Sequence, residues 1–152
     1  MPTFTGTATD TIHSTPQKLF STATSLSLLD RWATSINNVR LVTSESDIGV
    51  GSQLLADEAL AEKDWERDCP YEVTAFEPGR RFAFRSLGET QFSADLNLIG
   101  VPAGVQATWT FTAGPNLLID KIASLVMRSS VRRRTNQQAQ RELARLKVLV
   151  EK

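Results

Sequence analysis

The chain of 152 residues has one cysteine (Cys69), one histidine (His13) and one tyrosine (Tyr71). A lone cysteine excludes an internal disulfide and fits a reducing compartment, so a cytoplasmic location is expected. One His and one Cys cannot supply the three or four close ligands of an ordinary zinc site. A Ser-His-Asp triad would have to use His13, which lies in a Thr-rich segment with no nucleophile-elbow motif nearby. Neither GxGxxG nor GxxxxGK[ST] occurs, so no nucleotide cofactor is expected. There is no surplus of charge: 17 basic residues balance 17 acidic ones, which argues against a dedicated nucleic-acid binder. No apolar run approaches the roughly 18 residues of a membrane span. Residues 1–10 lack the apolar core of a signal peptide. No low-complexity linker or internal repeat divides the chain, and one domain over residues 1–152 is expected.

What is present is patterned. In residues 3–13 Thr3, Thr5, Thr7, Thr9 and Thr11 alternate with Phe4, Ala8 and Ile12, a period-two strand with its threonines outward. Thr15-Pro16 then reads as a capped helix start, with Leu19, Phe20 and Ala23 inward. Ser27 and Asp30 have capping-box spacing, predicting a second short helix that carries Leu29 and Trp32. Six strands are predicted next: 39–45, 52–61, 65–76, 80–87, 90–99 and 105–113, separated by turns rich in Gly and Pro. Their short connections imply an antiparallel meander. From Asn116 onward there is no Gly or Pro, and Ala, Leu, Arg, Gln and Lys predict one long helix, kinked near Ser129-Ser130. The class is α+β.

Three strands assign their faces clearly. Phe82 and Phe84 point one way; so do Phe92, Ala94, Leu96 and Leu98; and so do Val105, Ala107, Trp109 and Phe111. In the long strand before them Tyr71, Val73 and Ala75 are expected inward, with a bulge near Phe76. The last helix shows an inward stripe of Leu118, Ile122, Leu125, Ser129, Arg132, Asn136, Ala139, Leu143, Leu146 and Val150, apolar at its ends and polar in the middle. Two readings of that polar middle stand open. Either the helix bends there and Arg132, Arg133 and Arg134 form a hydrated patch, or one or two of these side chains reach a cavity beneath the helix. Charge is unevenly spread: residues 57–77 hold eight acids against two bases, and residues 121–147 hold eight bases against one acid.

Ile12 to Phe20, Trp32, the Gly49-Val50-Gly51-Ser52 turn, the hairpin Tyr71 to Phe84 and the helix end Leu143 to Glu151 stand in a telling order. Together these segments resemble the START/Bet v 1-like (SRPBCC) superfamily. Its polyketide cyclase/dehydrase and lipid-transport branch is the most similar. The resemblance implies a helix-grip fold, in which a curved seven-stranded antiparallel sheet wraps a long C-terminal helix, with two short helices after strand 1. It also implies a hydrophobic cavity between them for a lipid, polyketide or aromatic compound, in a monomer or homodimer. On that reading the lining is Tyr71, Val73, Phe82, Phe84, Phe92, Leu96, Trp109 and Phe111, with Ser129, Arg132, Arg133 and Asn136 contributed by the helix. A carrier is favoured over a metal-free cyclase or dehydratase, because His is so scarce. Glu58 and Asp10, with Arg85 or Tyr71, are the acid–base candidates if the chain is an enzyme, though each carboxylate also suits an exposed strand. A protein-interaction module is the third reading.

Overall fold

The computed structural model of the chain describes residues 4–33, 36–42, 48–59, 65–88, 92–113 and 128–151. In chain order the elements are β1 (Phe4–Ile12), α1 (Pro16–Ala23), α2 (Leu26–Trp32), β2 (Ile36–Leu41), β3 (Gln53–Ala59), β4 (Trp65–Glu77), β5 (Arg81–Ser86), β6 (Ser93–Val101), β7 (Gly104–Ala113) and α3 (Arg128–Glu151). The seven strands form one curved antiparallel sheet in the order β1-β7-β6-β5-β4-β3-β2. This is the helix-grip architecture.

Local chemistry accounts for most of the element boundaries. Thr15 caps α1, its hydroxyl accepting from the Lys18 N–H at 3.2 Å, with Pro16 at the first helical position. The Glu77-Pro78-Gly79 turn closes with the Arg80 N–H on the Glu77 carbonyl at 2.8 Å. Gly79 there has φ +76°, a conformation that favours glycine. The second helix corrects the capping-box expectation. It starts at Leu26 with Ser25 as the N-cap, and Ser27 lies inside it. Asp30 serves the tertiary fold instead, accepting from the Asn38 N–H at 3.1 Å.

Strand β2 begins earlier than the predicted 39–45. Asn37 and Asn38 lie within it, at a register shift where Asn38 takes φ 54°. Asn tolerates that left-handed conformation, so the pair makes a bulge rather than a break.

On β1 the threonines do face outward. Thr5, Thr7 and Thr9 meet Thr112, Thr110 and Thr108 of β7, hydroxyl to hydroxyl, at 3.2, 3.1 and 3.1 Å. The inward sets of β5, β6 and β7 are buried as expected: Phe82, Phe84, Ala94, Leu96, Leu98, Val105, Ala107, Trp109 and Phe111. Phe92, just ahead of β6, joins them.

The expected inward position of Ala75 is overturned. Register shifts between Val73 and Ala75, so Val73 pairs with Phe84, Ala75 with Ala83, and Phe76 with Phe82. The extra residue reverses the alternation. Tyr71, Val73 and Phe76 therefore face the core, while Ala75 shares the outer face with Ala83.

Helix α3 runs along the edge strand β1 and also touches α1, α2 and β7. Its side chains satisfy backbone groups that an edge strand leaves open. The Thr135 hydroxyl donates to the Thr5 carbonyl at 3.1 Å, and Asn136 Oδ1 accepts from the Thr7 N–H at 3.0 Å. Farther on, Glu151 accepts from the His13 N–H at 2.9 Å, and Lys147 pairs with Asp10 at 3.5 Å. Ala139, Leu143, Leu146 and Val150 are buried as the stripe predicts. Leu118, Ile122 and Leu125, and the chain leading into the expected kink at Ser129-Ser130, lie outside the described residues. So do the side chains of Ser129, Arg132 and Arg134.

No ion pair among the described residues joins the acidic segment to the basic helix. Among the described residues, β4 acids pair with sheet neighbours, Glu72 with Arg85 at 3.1 Å and Asp68 with Arg40, rather than with α3.

Candidate functional site

The face of the sheet turned to α3 is an aromatic wall. Phe82 and Phe84 lie 5.5 Å apart, Phe84 and Phe92 6.2 Å, and Phe92 stacks on Phe111 at 6.2 Å. Tyr71 stands edge-on to Phe84 and Phe92, at 5.9 and 6.2 Å. These spacings are typical of favourable aromatic pairs. Register builds the wall: Phe84 is opposite both Val73 and Ala94, Leu96 is opposite both Phe82 and Trp109, and Ala94 is opposite Phe111. All eight sheet residues expected at the site, Tyr71, Val73, Phe82, Phe84, Phe92, Leu96, Trp109 and Phe111, are therefore buried together.

Polar groups enter this wall at two places. On the β3–β4 side Glu58 is wholly buried, and the Tyr71 hydroxyl donates to its carboxyl group. On the α3 side Glu142, 2% exposed, accepts from the Trp109 indole N–H at 3.2 Å. Trp109 in turn lies edge-on to Trp32 of α2 at 4.7 Å. Thr135 and Gln138 of α3 are buried as well.

The helix residues expected at the site fare differently. Asn136 is half-buried, and its Oδ1 is engaged by β1. Arg133 is exposed, because Thr135, Gln138, Ala139 and Glu142 take the inward surface of this stretch. It puts no cation into the interior. Of the acid–base candidates, Glu58 and Tyr71 are brought together. Asp10 is exposed beside Lys147, and Arg85 is exposed on the outer face beside Glu72.

Two inward residues escaped the sequence reading. Glu142 lies three residues after Ala139 and four before Leu146, within the apolar stripe, and it is the one acid among eight bases of residues 121–147. That spacing was a usable signal. Trp32 was placed on its helix but not at the site.

A depression of about 340 Å³ lies on the opposite face, lined by Thr74, Arg81, Ala83, Arg85, Asp95 and Thr110 among others. It is shallow and mixed in character, and its guanidinium groups are already paired. Arg81 meets Asp95 at 2.6 Å, and that carboxylate raises the Arg81 pKa above its ordinary value.

Residues 3–151 match the family model described as polyketide cyclase / dehydrase and lipid transport. The chain belongs to this family. No curated protein matches the chain. Within the polyketide cyclase/dehydrase and lipid-transport family's fold, solved structures superpose over nearly the whole chain. The Deinococcus radiodurans protein DR_A0006 does so with a TM-score of 0.67 at 17% identity, covering 95% of this chain and 94% of that one. The di-domain ARO/CYC BexL of the BE-7585A biosynthetic pathway gives a TM-score of 0.67 at 18% identity over 99% of this chain. This chain spans 50% of BexL's length. Ara h 8.0201 gives a TM-score of 0.64 at 15% identity, with 99% of each chain covered. At these identities the likeness is one of fold. No helix among the described residues is long and apolar enough to cross a membrane.

Proposed function

We propose that the protein binds or carries a small, largely apolar molecule between the inner sheet face and α3. The observation that carries this reading is the Tyr71–Glu58 hydrogen bond, set into an otherwise aromatic wall of Phe84 and Phe92. Ligand sites of this kind combine a large apolar lining with a few placed polar groups. The rings supply affinity by burial, and the Tyr71–Glu58 pair orients a polar substituent on a lipid, polyketide or aromatic body. The family and the di-domain ARO/CYC neighbour point the same way. We place the protein in the cytoplasm, where the buried Cys69 thiol suits a reducing environment, as a monomer or homodimer with no nucleic-acid partner.

The test is native mass spectrometry of protein purified from its own cells, together with a thermal-shift panel of fatty acids, sterols and polycyclic phenols. A co-purifying small molecule, or stabilisation of several degrees by one compound class, is expected. A ligand-free protein that no compound stabilises would sink the proposal.

A second reading, a metal-free cyclase or dehydratase, is favoured by one observation: two carboxyl groups, Glu58 and Glu142, sit inside the aromatic wall. Glu58 next to Tyr71 has the residue types for moving a proton. If this holds, wild type turns over a poly-β-ketone substrate and Glu58→Gln abolishes that turnover. If the protein only carries its ligand, wild type shows no turnover. The interaction-module reading has less support: of the exposed large apolar side chains among the described residues, Ile99 sits on β6, Val148 on α3, and Val42, Val50 and Leu87 in three separate connecting segments.

A further inference from the structure

Trp32 carries a feature of the interior that the ligand reading has not used. Its ring is wholly buried, held by α2 edge-on to Trp109. The two indoles differ in one respect. The Trp109 N–H is spent on Glu142 at 3.2 Å, whereas the Trp32 N–H meets no acceptor among the described residues. Buried donors are nearly always paired, and an orphaned one costs about 1–3 kcal/mol. A phenylalanine would fill an apolar niche of this sort with no such cost. An indole here leaves one donor unused, inside the region where the apolar molecule is placed.

We propose that the Trp32 indole N–H recognises a hydrogen-bond acceptor on the ligand, and that the ligand class is therefore an apolar body bearing a carbonyl or ether oxygen. The proposal rests on the binding reading above. The two polar ends of the site then divide the work. Glu58 and Tyr71 face one substituent from β3 and β4, and Trp32 offers a lone donor from α2. A pure hydrocarbon fills the same space and leaves that donor orphaned. An oxygen placed against it removes the penalty.

The test uses two matched probes, 2-acetonaphthone and 2-isopropenylnaphthalene, in which C=CH2 replaces C=O. Both are titrated into the full-length protein and into Trp32→Phe. The ratio of ketone to alkene affinity, compared between the two proteins, cancels the cost of desolvating the ketone. This ratio is expected to be about two- to tenfold larger in wild type, the worth of one hydrogen bond. In parallel, the three indole N–H signals of 15N-labelled protein are assigned by single Trp→Phe variants. The Trp32 proton should move downfield with the ketone and not with the alkene.

Equal ratios in the two proteins, or a Trp32 signal that responds identically to both probes, would overturn the inference and leave the binding site standing. If neither probe binds, the binding reading fails and takes this inference with it. Should Trp32→Phe not fold, the contrast between the two probes at the wild-type Trp32 proton decides the question.

Discussion

Gly6 of β1 lies directly under the backbone of α3. A Cβ at Gly6 would stand 2.3 Å from the Thr135 carbonyl oxygen and 2.9 Å from the Phe111 ring. The first atom belongs to a helix backbone and cannot swing aside. Gly6→Ala should therefore push α3 off the sheet and cost about 1–3 kcal/mol, as overpacked interiors do. At Gly100 the nearest atom to an added Cβ is 4.0 Å away, so Gly100→Ala should stay within about half a kcal/mol of wild type. Urea denaturation measures both. Equal midpoints for wild type and Gly6→Ala would show that the close approach does not hold the helix.

The Tyr71–Glu58 pair can be dissected by its asymmetry. Tyr71→Phe removes the donor and takes one hydrogen bond from the buried carboxyl group, which should cost about 1–3 kcal/mol. Adding Glu58→Leu replaces the second polar partner with an apolar one and should restore part of the loss. The comparison is made by denaturant midpoint. A double variant less stable than Tyr71→Phe alone would mean that Glu58 has its main role outside this pair.

Asn136 should prove to be a structural residue. Its Oδ1 serves the Thr7 N–H, so Asn136→Ala opens that amide to solvent. Hydrogen exchange at Thr7 should quicken by about fivefold, the equivalent of roughly 1 kcal/mol, while the Ala8 amide stays nearly as slow as before. Faster exchange along the whole of β1 would indicate that the strand as a unit has been loosened.

The threonine pairs of β1 and β7 should be weak but measurable. A double-mutant cycle on Thr7→Ala and Thr110→Ala is expected to give a coupling of about 0.2–1 kcal/mol. These side chains are at least partly exposed, and their hydroxyls lie 3.1 Å apart. A coupling indistinguishable from zero would mean that water satisfies them equally well.

How much was legible depended on whether a residue's role is set by its near neighbours. Thr5, Thr7 and Thr9, the Phe82–Phe84 pair and the run from Val105 to Phe111 obey period two, so their faces could be read directly. Ala139, Leu143, Leu146 and Val150 obey the helical period and were equally plain. The bulge expected near Phe76 is there, but Ala75 was misplaced because the inserted residue falls between Val73 and Ala75 and reverses the alternation before Ala75, a position fixed only once β5 is laid beside β4. Glu58 read naturally as an exposed strand residue. Its burial follows from Tyr71 on the adjacent strand, thirteen positions away in sequence. The orphaned donor of Trp32 could not be read at all, since it is a relation to everything around the ring.

The way α3 is fastened to β1 also bears on how the protein avoids its own kind. A sheet that does not close into a barrel has two rims, each a template on which another chain could add a strand. Here the β1 rim is largely sealed. The Thr5 carbonyl and the Thr7 and His13 amides are taken by α3, and the Thr11 amide by Asp10 at 2.8 Å. The opposite rim, β2, is six residues long and broken by the left-handed turn of Asn38. Strand-by-strand aggregation therefore finds one rim already occupied and the other too short and kinked to extend.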